Sequence, residues 1–453
     1  MKITVSNLGP IKSAEIRSNK DLLILTGPNN SGKSYVAYLL YAIHDFVSLV
    51  NGHGGIPKYL NSQFNNPDKI NNILHDNKIY LEHIIVEFKD NIDNFISDLI
   101  SSNTVKIFAS ALTNPQVSID VEDLNLEFTQ YDIIGLHVKD GELHVIWNKD
   151  GYTKTSLDKT ANPTQLLAYS STLLLEYIKD HDLFGHAFML PAERTALNLF
   201  SRDIIAKKAG SRDDMALRVL AGEDITEIAR SITEEQNNTP KYPFAINAYI
   251  NFVNAFDGSI PVGEFAYLAQ ELEKSILGGK ISVSEFNQLL FHPNGTDNAL
   301  NLHESSSLIK SLSYLVVYLR HNAKKGEFII IDEPEINLHP NLQIAIGRFF
   351  AKMVNAGLKL IISTHSDYLI KEINNLIILG ELNKDEKHQT FVQGKQLAID
   401  ELLTKEQVGA YFLCNGKVDP IDLEENGLVV PTINDAIRRV DGLAEELYLE
   451  MEG

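Results

Sequence analysis

The chain has 453 residues, is 44% hydrophobic and 22% charged, and carries a formal net charge of −20. That length can bury a large core and suggests about two to four domains, and the composition is that of a globular protein. The negative charge argues against nonspecific nucleic-acid binding over the whole surface. No apolar run approaches the roughly 18 residues of a membrane span, and the single cysteine, Cys414, excludes an intrachain disulfide and a cysteine zinc cluster.

Residues 2–5 and 14–17 are predicted as two strands joined by the turn Asn7-Leu8-Gly9-Pro10, forming an antiparallel layer beside a main sheet. The opening residues lack the apolar core of a signal peptide, so a cytoplasmic protein is expected. Residues 22–26 read as a buried parallel strand and 35–43 as a helix without Pro or Gly. Between them, Gly27-Pro28-Asn29-Asn30-Ser31-Gly32-Lys33-Ser34 fits G-x-x-x-x-G-K-[ST], and strand, loop, helix is the context a phosphate-binding loop needs. Gly27 and Gly32 permit backbone angles and close approaches that a side chain blocks. The loop amides, with those of Asn29, Asn30, Ser31 and the following Tyr35, can then turn toward an anion at a helix N-terminus. Lys33 is expected on the β- and γ-phosphates and the Ser34 hydroxyl on Mg²⁺.

Residues 44–102 are Asn/Asp-rich with apolar residues at helical spacing: Ile84, Ile85, Phe88, Ile92, Phe95, Ile96 and Leu99 would share one face. They predict a helical insertion. Residues 105–147 switch to strand patterns at 117–119, 126–128, 133–138 and 143–147, with a hairpin turn at Lys139-Asp140-Gly141-Glu142. These strands are expected to extend the early antiparallel layer.

Residues 164–179 predict a helix, and 187–190 a short strand that runs into Glu193 and Arg194. Those two are either charges at the carboxyl edge of the sheet, where ligands bind, or a surface ion pair. Residues 203–273 read as mostly helical, broken at 237–240, with no heptad repeat. Lys207, Lys208, Arg212 and Arg218 within them form a local basic patch or a solvated helix face. Ser305, Ser306 and Ser307 precede an apolar helix at 308–319. Serines there are ordinary helix caps or a phosphate-binding helix start offered to nucleotide on another subunit.

Residues 328–331 are four apolar positions of a buried strand that ends in Asp332 and Glu333. Asp332 is placed to hold Mg²⁺ through water, and Glu333 to orient or deprotonate the attacking water. Residues 358–365 repeat the form and end in His365, a candidate γ-phosphate sensor as well as a possible structural histidine. The chain ends in a stretch dense in acidic residues, 419–452.

The combination of "NLGPIKSAEI", "GPNNSGKS", "IIIDEPEINLHP" and "IISTHSDYLI" resembles the ABC-type ATPases of the SMC, RecF and OLD group. The resemblance covers the first forty-odd residues and roughly 277–378. It implies an α/β fold of ABC type: a mixed, largely parallel core sheet, an antiparallel side layer and helical insertions. It implies ATP and Mg²⁺ as ligands and ATP hydrolysis as the activity. By this likeness Lys33 and Ser34 are the Walker A pair, Asp332 the Walker B aspartate and Glu333 the catalytic glutamate. Ser306 and Ser307 match the signature serines, 337–339 the D-loop region and His365 the switch histidine. The signature lacks its usual glycine pair, with Leu308 at one such position, and "LPAERTAL" stands where a Q-loop glutamine is expected.

The expected organisation is 1–45 as the N-terminal ATPase part, 46–102 as a helical insertion and 103–195 as the antiparallel layer and Q-loop-like region. A second helical insertion at 196–275 and the C-terminal ATPase part at 276–453 follow. Neither long coiled coils nor a Toprim nuclease domain is visible in the sequence. With "PAERTAL" and "ESSSLIKSL" the layout resembles the ATPase components, AriA, of PARIS anti-phage systems. The PARIS likeness implies a separate Toprim-type nuclease effector and a phage anti-restriction protein as trigger. The ABC-type likeness, in which one subunit's phosphate loop faces another's signature helix, implies a homo-oligomer, at least a head-to-tail dimer and in a larger form a ring of dimers. The competing readings are a RecF- or SMC-like DNA-repair ATPase that binds DNA directly and a non-enzymatic nucleotide-binding scaffold; intact Asp332 and Glu333 argue against the latter.

Overall fold

The computed structural model describes residues 1–45, 74–75, 78–80, 93–94, 96–101, 103–109, 112, 115–120, 133–139, 142–147, 151–154, 186–201, 242–284, 287–395, 397–424, 427–428 and 442. In chain order it opens with β1 (Lys2–Leu8), β2 (Ile11–Arg17), β3 (Leu22–Thr26) and α1 (Lys33–His44). There follow β4 (Leu74–His75), β5 (Lys78–Tyr80), α2 (Thr104–Phe108), β6 (Gln116–Asp120), β7 (Ile133–Lys139), β8 (Glu142–Trp147), β9 (Gly151–Lys154) and β10 (Ala187–Leu190). The second half holds α3 (Phe244–Ala255), α4 (Ala266–Leu272), β11 (Gly279–Val283), β12 (Leu289–Pro293), β13 (Leu300–Asn301), α5 (Ser307–His321) and β14 (Phe328–Asp332). It closes with α6 (Pro340–Asn355), β15 (Lys359–Thr364), α7 (Asp367–Asn383), α8 (Glu386–Gln393), β16 (Val408–Cys414), β17 (Lys417–Pro420), β18 (Leu423–Glu424) and β19 (Gly427–Leu428).

Among the described residues the principal sheet has nine strands, in the order β10-β14-β15-β3-β16-β17-β2-β1-β6. The first five run parallel. Their sequences, FIIID in β14 and LLILT in β3, are buried at every position, the continuous apolar pattern of a parallel sheet covered on both faces. Helices α1 and α6 both pack against β15. The expected antiparallel layer is present as β2, β1 and β6. It is not a separate sheet: β17 turns back from β16 and pairs parallel with β2, which joins both parts into one mixed sheet.

Three expectations need correction. Among the described residues, β6 is the one expected strand that extends the early layer, along β1. β7, β8 and β9 form another sheet with β4 and β5, in the order β4-β5-β7-β8-β9. Alternating strands specify which face is apolar, not which neighbour they pair with. The segment 46–102 is not wholly helical, because β4 and β5 lie in it and pair with each other and with β7. A helix does run through 96–101, where Ile96 and Leu99 of the expected face are buried. The start of the expected strand region, Thr104–Phe108, is a helix whose Ile107 and Phe108 are buried. The predicted strand at 126–128, the helix at 164–179 and the basic residues Lys207, Lys208, Arg212 and Arg218 lie outside the described residues. In the predicted helical stretch 203–273, α3 and α4 are helices, and a π-helical turn, Glu273–Leu277, continues α4.

Among the described residues no helix is long and apolar enough to cross a membrane.

Candidate functional site at the carboxyl edge of the parallel sheet

Register brings the motifs together. β14, β15 and β3 pair so that Asp332 lies beside Ser363 and Thr364 beside Thr26, the residue before Gly27. Three strand ends, the first from the opening of the chain and the other two from its last third, are thus level at one edge of the sheet, where open α/β folds bind ligands.

The loop after β3 has the shape its residues predict. Gly27 has φ +142°, Asn30 φ +61° and Gly32 φ +100°. A Cβ on Gly27 would stand 2.1 Å from the carbonyl oxygen of Leu413 on β16, so only glycine fits there. Gly32 lies against Pro10 and Ile11 of the first hairpin and caps α1, which begins at Lys33. Asn29 and Asn30 are exposed, whereas Ser34 and Tyr35 are half-buried. The Tyr35 ring stacks on Phe108, with centroids 5.3 Å apart. Ser31 is buried, and among the described residues its hydroxyl has no hydrogen-bond partner. Lys33 is buried and donates to the carbonyls of Gly27 and Pro28, at 3.0 Å each. Burial draws its pKa below the usual lysine value, while the charges of Glu333, Asp332 and Glu335 oppose that shift. The lysine therefore feels all three carboxylates.

Asp332 is 1% exposed. Its Oδ1 accepts from the Ser363 hydroxyl, and its buried Oδ2 has no hydrogen-bond partner among the described residues. Glu333 has φ +50°, a left-handed backbone uncommon outside glycine and asparagine. Its amide donates to Ser363, to the carbonyl at 3.0 Å and the hydroxyl at 3.1 Å. Burial raises the pKa of Glu333, and the neighbouring Asp332 raises it further; His365 and Lys33 act in the opposite direction. His365 is half-exposed, with Nδ1 3.9 Å from Glu333 Oε1 and 3.4 Å from Glu335 Oε1.

A residue the sequence reading did not single out completes the acidic group. Glu335 is 6% exposed and accepts from the Thr364 hydroxyl at 2.7 Å and the His365 amide at 2.8 Å. Its signal was a third carboxylate, three positions after Asp332, in a turn that bends back over the sheet edge.

Arg194 overturns the alternative of a surface ion pair. It is 0% exposed, and its guanidinium goes to neutral oxygens: the carbonyls of Pro191, Asp332 and Glu333 and the hydroxyl of Ser311. Glu193 lies at the surface end of the same turn, exposed.

Ser306 and Ser307 stand apart from this group. Ser306 caps α5, accepting from the Ile309 amide at 3.4 Å. No hydrogen bond joins either serine to Lys33, Asp332 or Glu333. In the 337–339 turn, Asn337 has φ +66° and donates to the Thr195 hydroxyl at 3.4 Å, and His339 caps α6.

The donor set suits a divalent cation beside a polyphosphate. One oxygen of buried Asp332 has no partner among the described residues, the Ser34 hydroxyl stands at the start of α1, and Mg²⁺ binds through few carboxylates plus phosphate oxygens.

A family model described as AAA ATPase domain matches residues 1–370. No curated protein matches the chain. Among solved structures, similar chains include the Pyrococcus furiosus Smc head domain crystallised with an extended coiled coil and bound to the C-terminal domain of ScpA. It is 12% identical, with 98% of each chain covered and a TM-score of 0.35. The Thermotoga maritima SMC head domain is 9% identical, with 93% of this chain and 98% of that one covered and a TM-score of 0.33. The motif match at residues 27–34, the strand-end carboxylates and the extent of the family match agree: the chain belongs to the AAA ATPase domain family and is an ATPase.

Proposed function

We propose that this ATPase is the sensor and regulator of an anti-phage defence system of the PARIS type, with the role of its AriA component. It would hold a separate Toprim-type nuclease and release it when a phage anti-restriction protein is detected. The convergence of Lys33, Asp332, Glu333 and His365 at one sheet edge is the observation that carries the hydrolytic part. The sequence likeness in "PAERTAL" and "ESSSLIKSL" supports the finer role.

In the hydrolytic step the amides of residues 29–35 and the Lys33 ammonium bind the phosphates, Lys33 exchanging its bonds to the Gly27 and Pro28 carbonyls for phosphate oxygens. Ser34 and Asp332 would hold Mg²⁺, which when bound neutralises charge on the β- and γ-phosphates. Glu333 takes the proton of a water as that water's oxygen bonds to the γ-phosphorus; the bond to the β–γ bridging oxygen breaks and ADP leaves. The raised pKa of Glu333 suits a proton acceptor. His365, held by Glu335, would donate to the γ-phosphate. Ser306 and Ser307 would face the phosphate loop of a second copy in a head-to-tail dimer.

The test is co-expression with the reading frames encoded beside the gene. The chain should copurify with a nuclease and by itself leave DNA and RNA uncut. Glu333→Gln should keep ATP binding, lower hydrolysis about 100-fold or more and trap the complex in the presence of trigger. A chain that binds DNA tightly by itself, with no nuclease partner, would instead favour the repair-type reading.

A further inference from the structure

We propose that Arg194 is a positioning residue for hydrolysis: its guanidinium fork sets the left-handed backbone of Glu333 and so aims that carboxylate. The inference rests on the reading of Glu333 as proton acceptor and deepens it.

The argument is geometric. Rotation about the N–Cα and Cα–C bonds of Glu333 turns the peptide plane before it against the plane after it. Arg194 holds both planes at once. One terminal nitrogen donates to the Asp332 carbonyl at 2.8 Å, and the other to the Glu333 carbonyl at 2.9 Å. The spacing of a planar, rigid fork thus dictates the distance between two successive carbonyl oxygens. Ser363 fixes the amide between them from the neighbouring strand. A glutamate at φ +50° persists only where its surroundings over-determine it, and these contacts supply that constraint.

The remaining donors anchor the fork. Nε donates to Ser311 at 2.8 Å, and the nitrogen on Asp332 also reaches the Pro191 carbonyl at 3.0 Å. Ser311 is 0% exposed and lies in α5, the helix that Ser306 caps. A second tie binds the same elements: Asn198 donates to the Lys310 carbonyl and accepts from the Tyr249 hydroxyl at 2.6 Å. The arginine therefore stands on a braced platform, and its position cannot drift with the surface. Burying a guanidinium among neutral oxygens is costly; the charges of Asp332, Glu335 and Glu333 offset that cost only in part, and among the described residues no carboxylate lies within ion-pair distance. Such a cost is retained where geometry, rather than stability, is what the group provides. A lysine is not its equal: the single ammonium on a flexible stem lacks the planar fork whose separate nitrogens space the two carbonyls and reach Ser311.

The test compares Arg194→Lys, Ser311→Ala and Glu333→Gln by steady-state ATPase kinetics, by affinity for a fluorescent ATP analogue and by thermal unfolding. Arg194→Lys should bind the analogue within about threefold of the parent protein and lose roughly 10- to 100-fold in kcat, the scale of an ångström-level misplacement. Ser311→Ala, which removes one anchor and no charge, should lower kcat by roughly two- to fivefold at unchanged affinity, a small fraction of the same misplacement effect. A merely structural arginine would instead change affinity and kcat together, and that result overturns the proposal. So does wild-type kcat in Arg194→Lys while Glu333→Gln is inactive. Wild-type kcat in Glu333→Gln rejects the reading of Glu333 itself, and with it this inference. If Arg194→Lys shows no cooperative unfolding, Ser311→Ala decides: reduced kcat at unchanged affinity supports the proposal, and unchanged kcat defeats it.

Discussion

The buried carboxylate of Glu335 accepts the backbone amide of His365 at 2.8 Å, and the same oxygen lies 3.4 Å from the His365 ring nitrogen. One side chain thus sets both the backbone and the ring of the residue that ends β15. Since it also takes the Thr364 hydroxyl, removing the carboxylate leaves two donors without partners at a buried strand end. Glu335→Ala should lower unfolding free energy by about 1–3 kcal/mol, the cost of an unmet buried donor. Glu335→Gln, which keeps the accepting oxygen, should stay close to the parent protein. Urea denaturation of the two variants distinguishes them, and equal losses would show that the charge rather than the acceptor matters.

Gly27 and Gly326 separate two reasons for glycine. Both have positive φ, +142° and +86°. A Cβ on Gly27 would collide with the Leu413 carbonyl, whereas on Gly326 it meets nothing within 4 Å. Gly326→Ala should therefore cost only the strain of a left-handed residue, about 1–2 kcal/mol. Gly27→Ala must move either the phosphate loop or β16. It should lose nucleotide binding altogether, measured by titration with a fluorescent ATP analogue, even where circular dichroism reports a folded protein.

Much of this site was legible before any coordinates. The phosphate loop and the strand-end carboxylates are local patterns, and strands buried on both faces announce themselves as unbroken runs such as Ile329-Ile330-Ile331. Pairing was less legible. β6 and β7 carry similar alternation, yet one joins β1 and the other joins β5 and β8. Only tertiary context makes that choice. Arg194 was the hardest case. Arginine is almost never fully buried, and its partners Ser311, Asp332 and Glu333 lie 117, 138 and 139 residues away. No sequence window contains both halves of that relationship.

Burial and Asp332 hold the Glu333 pKa above the usual carboxylate value, which fixes two signs. For hydrolysis, the base must be ionised, so kcat should rise with pH through a value higher than that of an ordinary glutamate. For stability, a folded pKa above the unfolded one means that the native state binds the extra proton. The favourable contribution is present in acid and disappears as pH rises through the folded pKa. Glu333→Gln, measured without nucleotide, should therefore melt above the parent protein at neutral pH, and the gap should close below the ordinary glutamate pKa. A gap that widens in acid would reverse the assigned shift.

Arg320 and Glu273 supply a test remote from the nucleotide. Arg320, near the end of α5, contacts Glu273 Oε1 at 2.6 Å and donates to the Ile281 carbonyl at 2.7 Å. Glu273, 5% exposed, opens the π-helical turn and also accepts the Ile281 amide. Three elements, α5, the π-turn and β11, meet at this pair. Deleting the arginine leaves a buried carboxylate with only a backbone amide for company, and an uncompensated buried charge costs about 3–5 kcal/mol. Deleting both charges removes the penalty along with the bond. Arg320→Met should thus be strongly destabilising, while Arg320→Met combined with Glu273→Gln should recover much of the loss. The measurement is a double-mutant cycle in urea, with nucleotide affinity as a control that should stay unchanged in the double variant. Additive losses from the two single changes would mean the pair is not coupled and that packing alone holds the π-turn to α5.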